Sequence, residues 1–241
     1  MELLKHILFI DIETASCVSR YDELNINMQH HWDRKARFLK NNQGSEASVS
    51  ELFTDRAGIF SEFARVVSIG MGVLTDKGGE WKILLKAVSD ADEKTLLTNF
   101  CEALARLVKR CPNLRFCGHN IKEFDLPFLC RRMVIHNIEI PEIMQTQGKK
   151  PWEVNHLDTL ELWRFGDYKN FTSLALLADI LGIPSPKEDI DGSMVSKVYW
   201  QEHNLERINQ YCMNDVLTTA RVFIRMKGIK QVNPIPHYVT D

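Results

Sequence analysis

Apolar positions form two kinds of pattern along the chain, continuous runs and residues three or four positions apart, and each pattern predicts a different element. Nearly continuous apolar runs are typical of strands covered on both faces. Four such runs predict strands, at residues 7–12, 65–74, 81–88 and 114–118, and a short further strand is predicted near 154–158, ending at Asp158. Asp76-Lys77-Gly78-Gly79 lies between the second and third runs, so these two strands are expected to form a hairpin.

Apolar residues three and four positions apart predict amphipathic helices between these strands. Residues 92–110 place Leu96, Phe100, Leu104 and Leu107 on one face. Further helices are predicted at 123–136, 171–181, 193–200 and 203–227. The order of elements predicts an α/β fold with one mixed sheet and helices on both faces. No linker is apparent, so residues 1–241 are expected to form a single domain.

A long helical insertion is predicted after the first strand, at about residues 15–60. Tyr21, Leu24, Met28 and Trp32 follow one another at helical spacing, Asn41–Ser45 interrupts the pattern, and a second helix is expected at about Ser48–Ala57. Long excursions from compact domains are commonly functional, which favours a lid or a substrate-facing insert. A helical hairpin that only covers the edge of the sheet is the equal alternative.

Composition and net charge are those of an ordinary globular protein and exclude some classes of nucleic-acid-binding protein. The 241 residues are 44% hydrophobic and 26% charged, with a net charge of −2, as in an ordinary globular protein. This excludes a nucleic-acid binder that relies on bulk positive charge, but not an enzyme with one local groove. Six cysteines show no metal-binding spacing, and no run is long enough for a membrane span or signal peptide. A cytoplasmic protein without a membrane partner is therefore expected.

The first strand carries two carboxylates, Asp11 and Glu13, at its predicted carboxyl end. Residues two apart on a strand face the same way, so these acids are expected to lie side by side. Such a pair is tolerable when a divalent cation lies between the carboxylates. Two surface acids at a strand end are the alternative explanation.

Two further acidic positions follow later in the chain. In GHNIKEFDLPFL (118–129), Asn120 follows a strand and Asp125 begins a helix, where the helix dipole favours an ionised carboxylate. In YCMND, Tyr211 and Asp215 lie four apart and share one helical face. Taken alone, Asp125 is explained as a helix cap and the Tyr-Asp pair as packing. Their joint occurrence with Asp11 and Glu13 favours one shared site.

With these motifs in order, the chain resembles the DEDD superfamily of 3′–5′ exonucleases, and its tyrosine subclass in particular. DIET, GHN…FD…PFL and YCMND match the three exonuclease motifs, spanning residues 9–219. The chain is similar to stand-alone bacterial exonucleases predicted to be related to family-B DNA polymerases. The resemblance implies a ribonuclease-H-like fold with a mixed five-stranded sheet.

The resemblance also implies a metal site. Four carboxylates would bind two Mg²⁺ or Mn²⁺ ions: Asp11, Glu13, Asp125 and Asp215. Tyr211 would orient the attacking water, and the backbone of Thr14 and Ala15 would meet the terminal 3′-hydroxyl. Oxygen ligands without histidine or cysteine suit magnesium, and two such ions stabilise both the attacking and the leaving oxygen.

Weaker signals surround this site. Asn120 and Phe124 are candidate substrate contacts, although core packing is the simpler explanation for Phe124. Asp158 ends a predicted strand and is expected to support the site through hydrogen bonds rather than to bind metal. Three basic stretches could contact phosphates or simply be solvated: Arg34-Lys35-Ala36-Arg37, Arg131-Arg132 and Lys149-Lys150.

The leading hypothesis is a metal-dependent 3′–5′ exonuclease acting on single-stranded or frayed DNA ends and releasing nucleoside 5′-monophosphates. A 3′–5′ exoribonuclease is the alternative within the same chemistry, because discrimination depends on how the 2′-hydroxyl is received. A catalytically silent nucleic-acid-binding module is the alternative of another class. A polymerase or repair partner stays open.

Overall fold

The computed structural model describes residues 1–43, 46–150, 153–167, 169, 171–184 and 190–239. One sheet runs through this part of the chain, formed by β1 (Ile7–Ser16), β2 (Ala64–Lys77), β3 (Glu80–Val88), β4 (Arg115–Gly118), β5 (Leu157–Asp158) and β6 (Ile235–Tyr238). The described α-helices are α1 (Ile26–Gln43), α2 (Val49–Arg56), α3 (Glu93–Arg110), α4 (Asp125–Ile135), α5 (Thr159–Arg164), α6 (Leu174–Ile180), α7 (Val195–Lys197) and α8 (Leu205–Met226). No helix among the described residues is long and apolar enough to cross a membrane.

The sheet is mixed, with strand order β5-β4-β1-β2-β3-β6. The β1–β2 and β2–β3 pairs are antiparallel, and the other neighbouring pairs are parallel. The α/β prediction is confirmed, but the expected count of five strands is wrong by one. The additional strand, β6, pairs with β3 at the sheet edge and contains Pro236. Proline argues against a strand in sequence, although an edge strand accommodates it.

Apolar side chains cover both faces of the sheet, as the continuous run in β1 predicts. Leu8, Ile10 and Ile12 point into one core, which α3 and α4 complete with Phe100, Leu104, Phe128 and Leu129. Ile7 and Phe9 point to the opposite face, where α8 contributes Val216, Leu217, Ala220 and Phe223. Odd-numbered residues of β1 therefore face α8, and this alternation sets the direction of the two acids that follow Phe9.

Most predicted helices are confirmed to within a few residues, and the differences have local causes. The predicted helix at 193–200 divides into α7 and a π-helical turn at Val198–Glu202. Helix α5 was not predicted, although Asp158 and Glu161 have the spacing of a helix-capping pair. The Asp158 side chain accepts hydrogen bonds from the backbone N–H groups of Leu160 and Glu161, and α5 begins directly after it.

The insertion between β1 and β2 contains α1 and α2 around a small core of its own. Trp32 is fully buried there, with its ring centroid 5.2 Å from that of Phe53 and 5.0 Å from that of Phe63. Helix α1 begins at Ile26, five residues after Tyr21, the first residue of the predicted apolar stripe, because Tyr21–Glu23 forms a 3₁₀ turn. It continues to Gln43, into the predicted break, whose last two residues, Gly44 and Ser45, lie outside the described residues.

Candidate active site

Asp11 and Glu13 lie side by side on β1 and face α8. A carboxylate oxygen of each and the Sγ atom of Cys212 all lie within 4.8 Å of one another. The sequence predicted these acids at the end of the strand, whereas β1 continues to Ser16 and the acids lie inside it. The pairing register between β1 and β2 shifts between Glu13 and Thr14. A bulge of this kind twists a strand and redirects its side chains.

Gly70 allows α8 to approach the two acids closely. It pairs with Asp11 across β1 and β2, on the face that α8 covers. A Cβ atom on Gly70 would lie 2.8 Å from Cγ2 of Val216 and 2.9 Å from Sγ of Cys212. Any side chain at position 70 would therefore push α8 away from the sheet. Since α8 carries Asp215, the glycine indirectly sets how near that carboxylate comes to Asp11.

Asp125 reaches the same place from the other side of the sheet. Strand β4 pairs with β1 only from Ile7 to Phe9, so the backbone N–H of Ile12 extends beyond it. Oδ1 of Asp125, the first residue of α4, accepts a hydrogen bond from that N–H at 3.1 Å. The carboxylate thus occupies the end of β4 and lies against the backbone between Asp11 and Glu13.

The turn that brings Asp125 into position is held by Asp158. The Asp158 carboxylate accepts hydrogen bonds from the backbone N–H of Asn120 at 2.9 Å and of Lys122 at 3.1 Å. Asn120 adopts a left-handed backbone conformation, with φ of 64°, and its carbonyl accepts a bond from Phe124 N–H. These backbone contacts agree with the supporting role expected for Asp158.

The site is strongly electronegative and partly shielded from water. Burial raises the pKa of Asp11 well above its ordinary value, and the charges of Asp215, Glu13 and Asp125 raise it further. Burial also raises the pKa of Asp125 to about 7, against the opposing effect of its backbone hydrogen bonds. The pKa of Asp215 rises to about 6 through burial, although a hydrogen bond from Tyr211 lowers it. A divalent cation would relieve this mutual repulsion.

Tyr211 lies one helical turn before Asp215 on α8, and its hydroxyl donates a hydrogen bond to the Asp215 carboxylate. Its ring packs against a cluster that includes Ala15, Val195 and Ile208. This packing holds the phenol at the rim of the carboxylate group.

The donor set fits a hard divalent cation. Carboxylate oxygens are the ligands that Mg²⁺ and Mn²⁺ prefer. Cys212 adds a softer atom nearby, but its sulfur accepts a hydrogen bond from Gly70 N–H at 3.1 Å. Burial and the charge of Asp11 raise the pKa of this thiol well above its ordinary value. Cys212 therefore acts as a protonated contact between α8 and the sheet, a role that its sequence spacing did not reveal.

The other candidate substrate residues have mixed surroundings. Oγ1 of Thr14 donates a hydrogen bond to the Gly58 carbonyl at 2.7 Å, and the Ala15 side chain is fully buried. Asn120 is half-buried beside the Asp125 turn, while the Phe124 ring packs 5.4 Å from that of Phe128. The structure brings together the four carboxylates and Tyr211; the side chains of Ala15 and Phe124 serve packing.

Comparison with known families identifies the group to which this architecture belongs. A family model described as a predicted 3′–5′ exonuclease related to the exonuclease domain of PolB matches residues 59–234, nearly three quarters of the chain. The chain belongs to this family. The matched region of this PolB-related exonuclease includes Asp125, Tyr211 and Asp215 but begins after β1. The family match therefore does not include Asp11 and Glu13, which the geometry of the site places beside the other carboxylates.

Other comparisons add little to this assignment. The PolB-related exonuclease is similar to the family B DNA polymerase of the hyperthermophilic archaeon Pyrobaculum calidifontis, with a TM-score of 0.48 and 14% identity. The likeness covers 91% of this chain and 24% of the polymerase chain, so the protein spans about a quarter of that polymerase. No curated protein matches it.

Proposed function

We propose that this PolB-related exonuclease hydrolyses the terminal phosphodiester at the 3′ end of single-stranded or frayed DNA with the help of divalent metal ions. One observation carries the proposal: carboxylates from β1, α4 and α8 converge on one point although they lie far apart in sequence. A cluster of buried like charges destabilises a fold unless it serves a ligand. A metal-dependent reaction on a phosphodiester gives that cluster a purpose.

The residues that would hold two Mg²⁺ or Mn²⁺ ions are Asp11, Glu13, Asp125 and Asp215. Bound ions would supply a water of lowered pKa and stabilise negative charge on the attacking and leaving oxygens. Asp11 lies near all three of the other carboxylates, whose charges each raise its pKa, so it would contribute to holding the ions. The hydrogen bond that Asp125 accepts from Ile12 N–H fixes the position of its carboxylate beside β1.

The protein's own groups would orient the strand and the water. Water attacks the phosphorus atom, the bond from phosphorus to the 3′-oxygen breaks, and that oxygen leaves with a proton. The products are a nucleoside 5′-monophosphate and a strand shorter by one nucleotide. The Tyr211 hydroxyl would position the water through a hydrogen bond, because a neutral phenol is a poor proton acceptor. The backbone of Thr14 and Ala15 would meet the terminal 3′-hydroxyl, with Asn120 and Phe124 beside the last nucleotide.

Degradation of a 5′-labelled single-stranded DNA oligonucleotide tests the proposal. In Mg²⁺ or Mn²⁺ we expect a ladder that shortens by one nucleotide at a time from the 3′ end, and no ladder in EDTA. An RNA strand of the same sequence serves as the second substrate. Faster degradation of RNA would move the substrate to RNA while keeping the chemistry. No shortening of either strand with either metal would refute the proposal. A cytoplasmic location stays a prediction, and a polymerase or repair partner stays open.

A further inference from the structure

The helical insertion presents a surface that the reaction itself does not use. Helix α1 is charged very differently from the rest of the chain. Residues 26–40 contain four lysines and arginines and one acid, Asp33, whereas the whole chain has a net charge of −2. The Tyr21 hydroxyl donates a hydrogen bond to Oδ1 of Asp33 at 2.6 Å, so this carboxylate already has a hydrogen-bond partner. The α1 helix is therefore a local basic surface on a mildly acidic protein.

The basic residues of α1 surround an exposed aromatic ring. Phe38 is 62% exposed, a large value for a phenylalanine on a helix whose opposite face is buried. Arg34 and Arg37 lie four residues and one residue before it, and both are exposed. Among the described residues, no carboxylate forms an ion pair with Arg34 or Arg37. Positive groups beside an exposed ring are what binds a single nucleic-acid strand without sequence preference.

A depression runs along this face of α1. Its volume is about 600 Å³, and the lining residues are Met28, His31, Arg34, Lys35, Phe38, Glu62 and Phe63. Lys35 lies over the ring of Phe60, with Nζ 4.1 Å from the ring centroid, which fixes one wall. The buried Trp32 anchors the helix from behind, and its Nε1 donates to the Val49 carbonyl at 3.0 Å. The depression is thus part of a rigid surface.

A backbone hydrogen bond joins the wall of the depression to the end of β1, the strand that carries Asp11 and Glu13. Phe63 accepts a backbone hydrogen bond from Cys17 N–H at 2.8 Å, and Cys17 directly follows β1. Cys17 lies four residues after Glu13, which is about 13 Å at about 3.3 Å per strand residue. A strand whose 3′ end lies at the carboxylates would pass α1 within a few nucleotides.

We infer that α1 binds the sugar-phosphate backbone of the substrate strand a few nucleotides before its 3′ end, with Arg34 and Arg37 contacting phosphates and Phe38 stacking on a base. This inference rests on the proposed function for the direction of the strand. Charge complementarity selects an anionic strand, and the exposed ring selects unpaired bases over a duplex. The surface lies outside the region matched by the family model, which begins at residue 59.

Binding measurements test this surface without hydrolysis. All proteins carry Asp215→Asn, and the probe is a 5′-fluorescein dT₂₀ strand in Mg²⁺, followed by anisotropy at several salt concentrations. Arg34→Gln with Arg37→Gln should weaken binding about tenfold and reduce the salt slope by about 1.4, at about 0.7 per phosphate contact. Phe38→Ser should weaken binding about fivefold or more. The matched control, Lys77→Gln with Lys82→Gln, removes two charges near the β2–β3 turn and should leave binding unchanged.

A kinetic comparison in the otherwise unmodified protein separates this surface from the catalytic group. The two-arginine variant should raise KM for dT₂₀ about tenfold with the same kcat, and leave a dinucleotide substrate, too short to reach α1, unaffected. Equal Tm values for all variants would exclude unfolding as the cause. Unchanged affinity for dT₂₀ in both α1 variants would overturn the inference while leaving the exonuclease proposal intact. Loss of affinity in the α1 variants, together with a wild-type protein that hydrolyses neither DNA nor RNA, would support the surface and refute the proposed function.

Discussion

Replacing Asp125 by asparagine should stabilise the metal-free protein. The carboxylate is 4% exposed, and its pKa of about 7 compares with an ordinary 3.8. That difference corresponds to about 4 kcal/mol, at about 1.4 kcal/mol for each tenfold change in proton affinity. The asparagine Oδ1 can still accept the hydrogen bond from Ile12 N–H, so the change mainly removes the buried charge.

The sign of the pH dependence follows from the raised pKa. Below about pH 4 the carboxyl group is protonated in both the folded and the unfolded protein, so its raised pKa does not lower the free energy of unfolding. The cost grows as the pH rises to about 7, where the folded carboxylate also ionises, and then stays constant. The Tm of Asp125→Asn should therefore exceed that of the wild type in EDTA by a margin that increases from pH 4 to pH 7.

Thermal unfolding in EDTA measures the cost of the buried charge, and thermal unfolding in Mn²⁺ measures how far a bound cation removes it. One kcal/mol shifts Tm by about 2–4 °C in a chain of this size. Relaxation around the site takes away part of the gain, so we expect a rise of at least about 4 °C at pH 8 in EDTA. Mn²⁺ should raise the Tm of the wild type more than that of Asp125→Asn. Asp55→Asn, an exposed carboxylate on α2, is the control. A variant that melts below the wild type in EDTA at pH 8 would refute the reasoning.

Three further predictions concern neighbouring parts of the structure. Burial raises the pKa of Glu93, but hydrogen bonds and charge from Arg132 outweigh it and leave the pKa below its ordinary value. Arg132→Leu should therefore cost about 3–5 kcal/mol in urea unfolding at pH 7, and less below pH 4, where Glu93 is protonated; equal costs at both would contradict this. Gly70→Ala should displace α8 from the sheet. We expect a marked fall in kcat and only a smaller fall in the Tm measured without Mn²⁺. Tyr211→Phe should reduce kcat yet keep the Mn²⁺-induced rise in Tm, and an unchanged kcat would remove Tyr211 from the reaction.

The sequence contained enough to place the carboxylates but not their surroundings. Alternation in β1 correctly implied that Asp11 and Glu13 face the same way, because strand geometry fixes that direction locally. The sequence also indicated that Asp125 starts a helix, which the structure confirms. Its bond to Ile12 depends on how far β4 extends along β1, a long-range property that no local pattern encodes.

Close approach and edge pairing account for most of what the sequence did not reveal. The need for glycine at position 70 follows from α8 crossing the sheet there, and the same crossing brings Cys212 beside Asp11. Strand β6 forms because the edge of β3 is open to pairing. The local sequence of β6 does not indicate this, since it contains Pro236. The contact of Asp158 with Asn120 spans 38 residues, so it too was expected only as general support.

The central claim is that the carboxylates of β1, α4 and α8 form one catalytic metal site. The most direct test is the rate at which nucleoside 5′-monophosphate is released from a 5′-labelled DNA strand by four single variants: Asp11→Asn, Glu13→Gln, Asp125→Asn and Asp215→Asn. We expect each to lose about a hundredfold or more of the wild-type rate in Mg²⁺ while staying folded, and Asp55→Asn to retain the full rate. A variant at any of the four positions that hydrolyses at the wild-type rate would contradict the account.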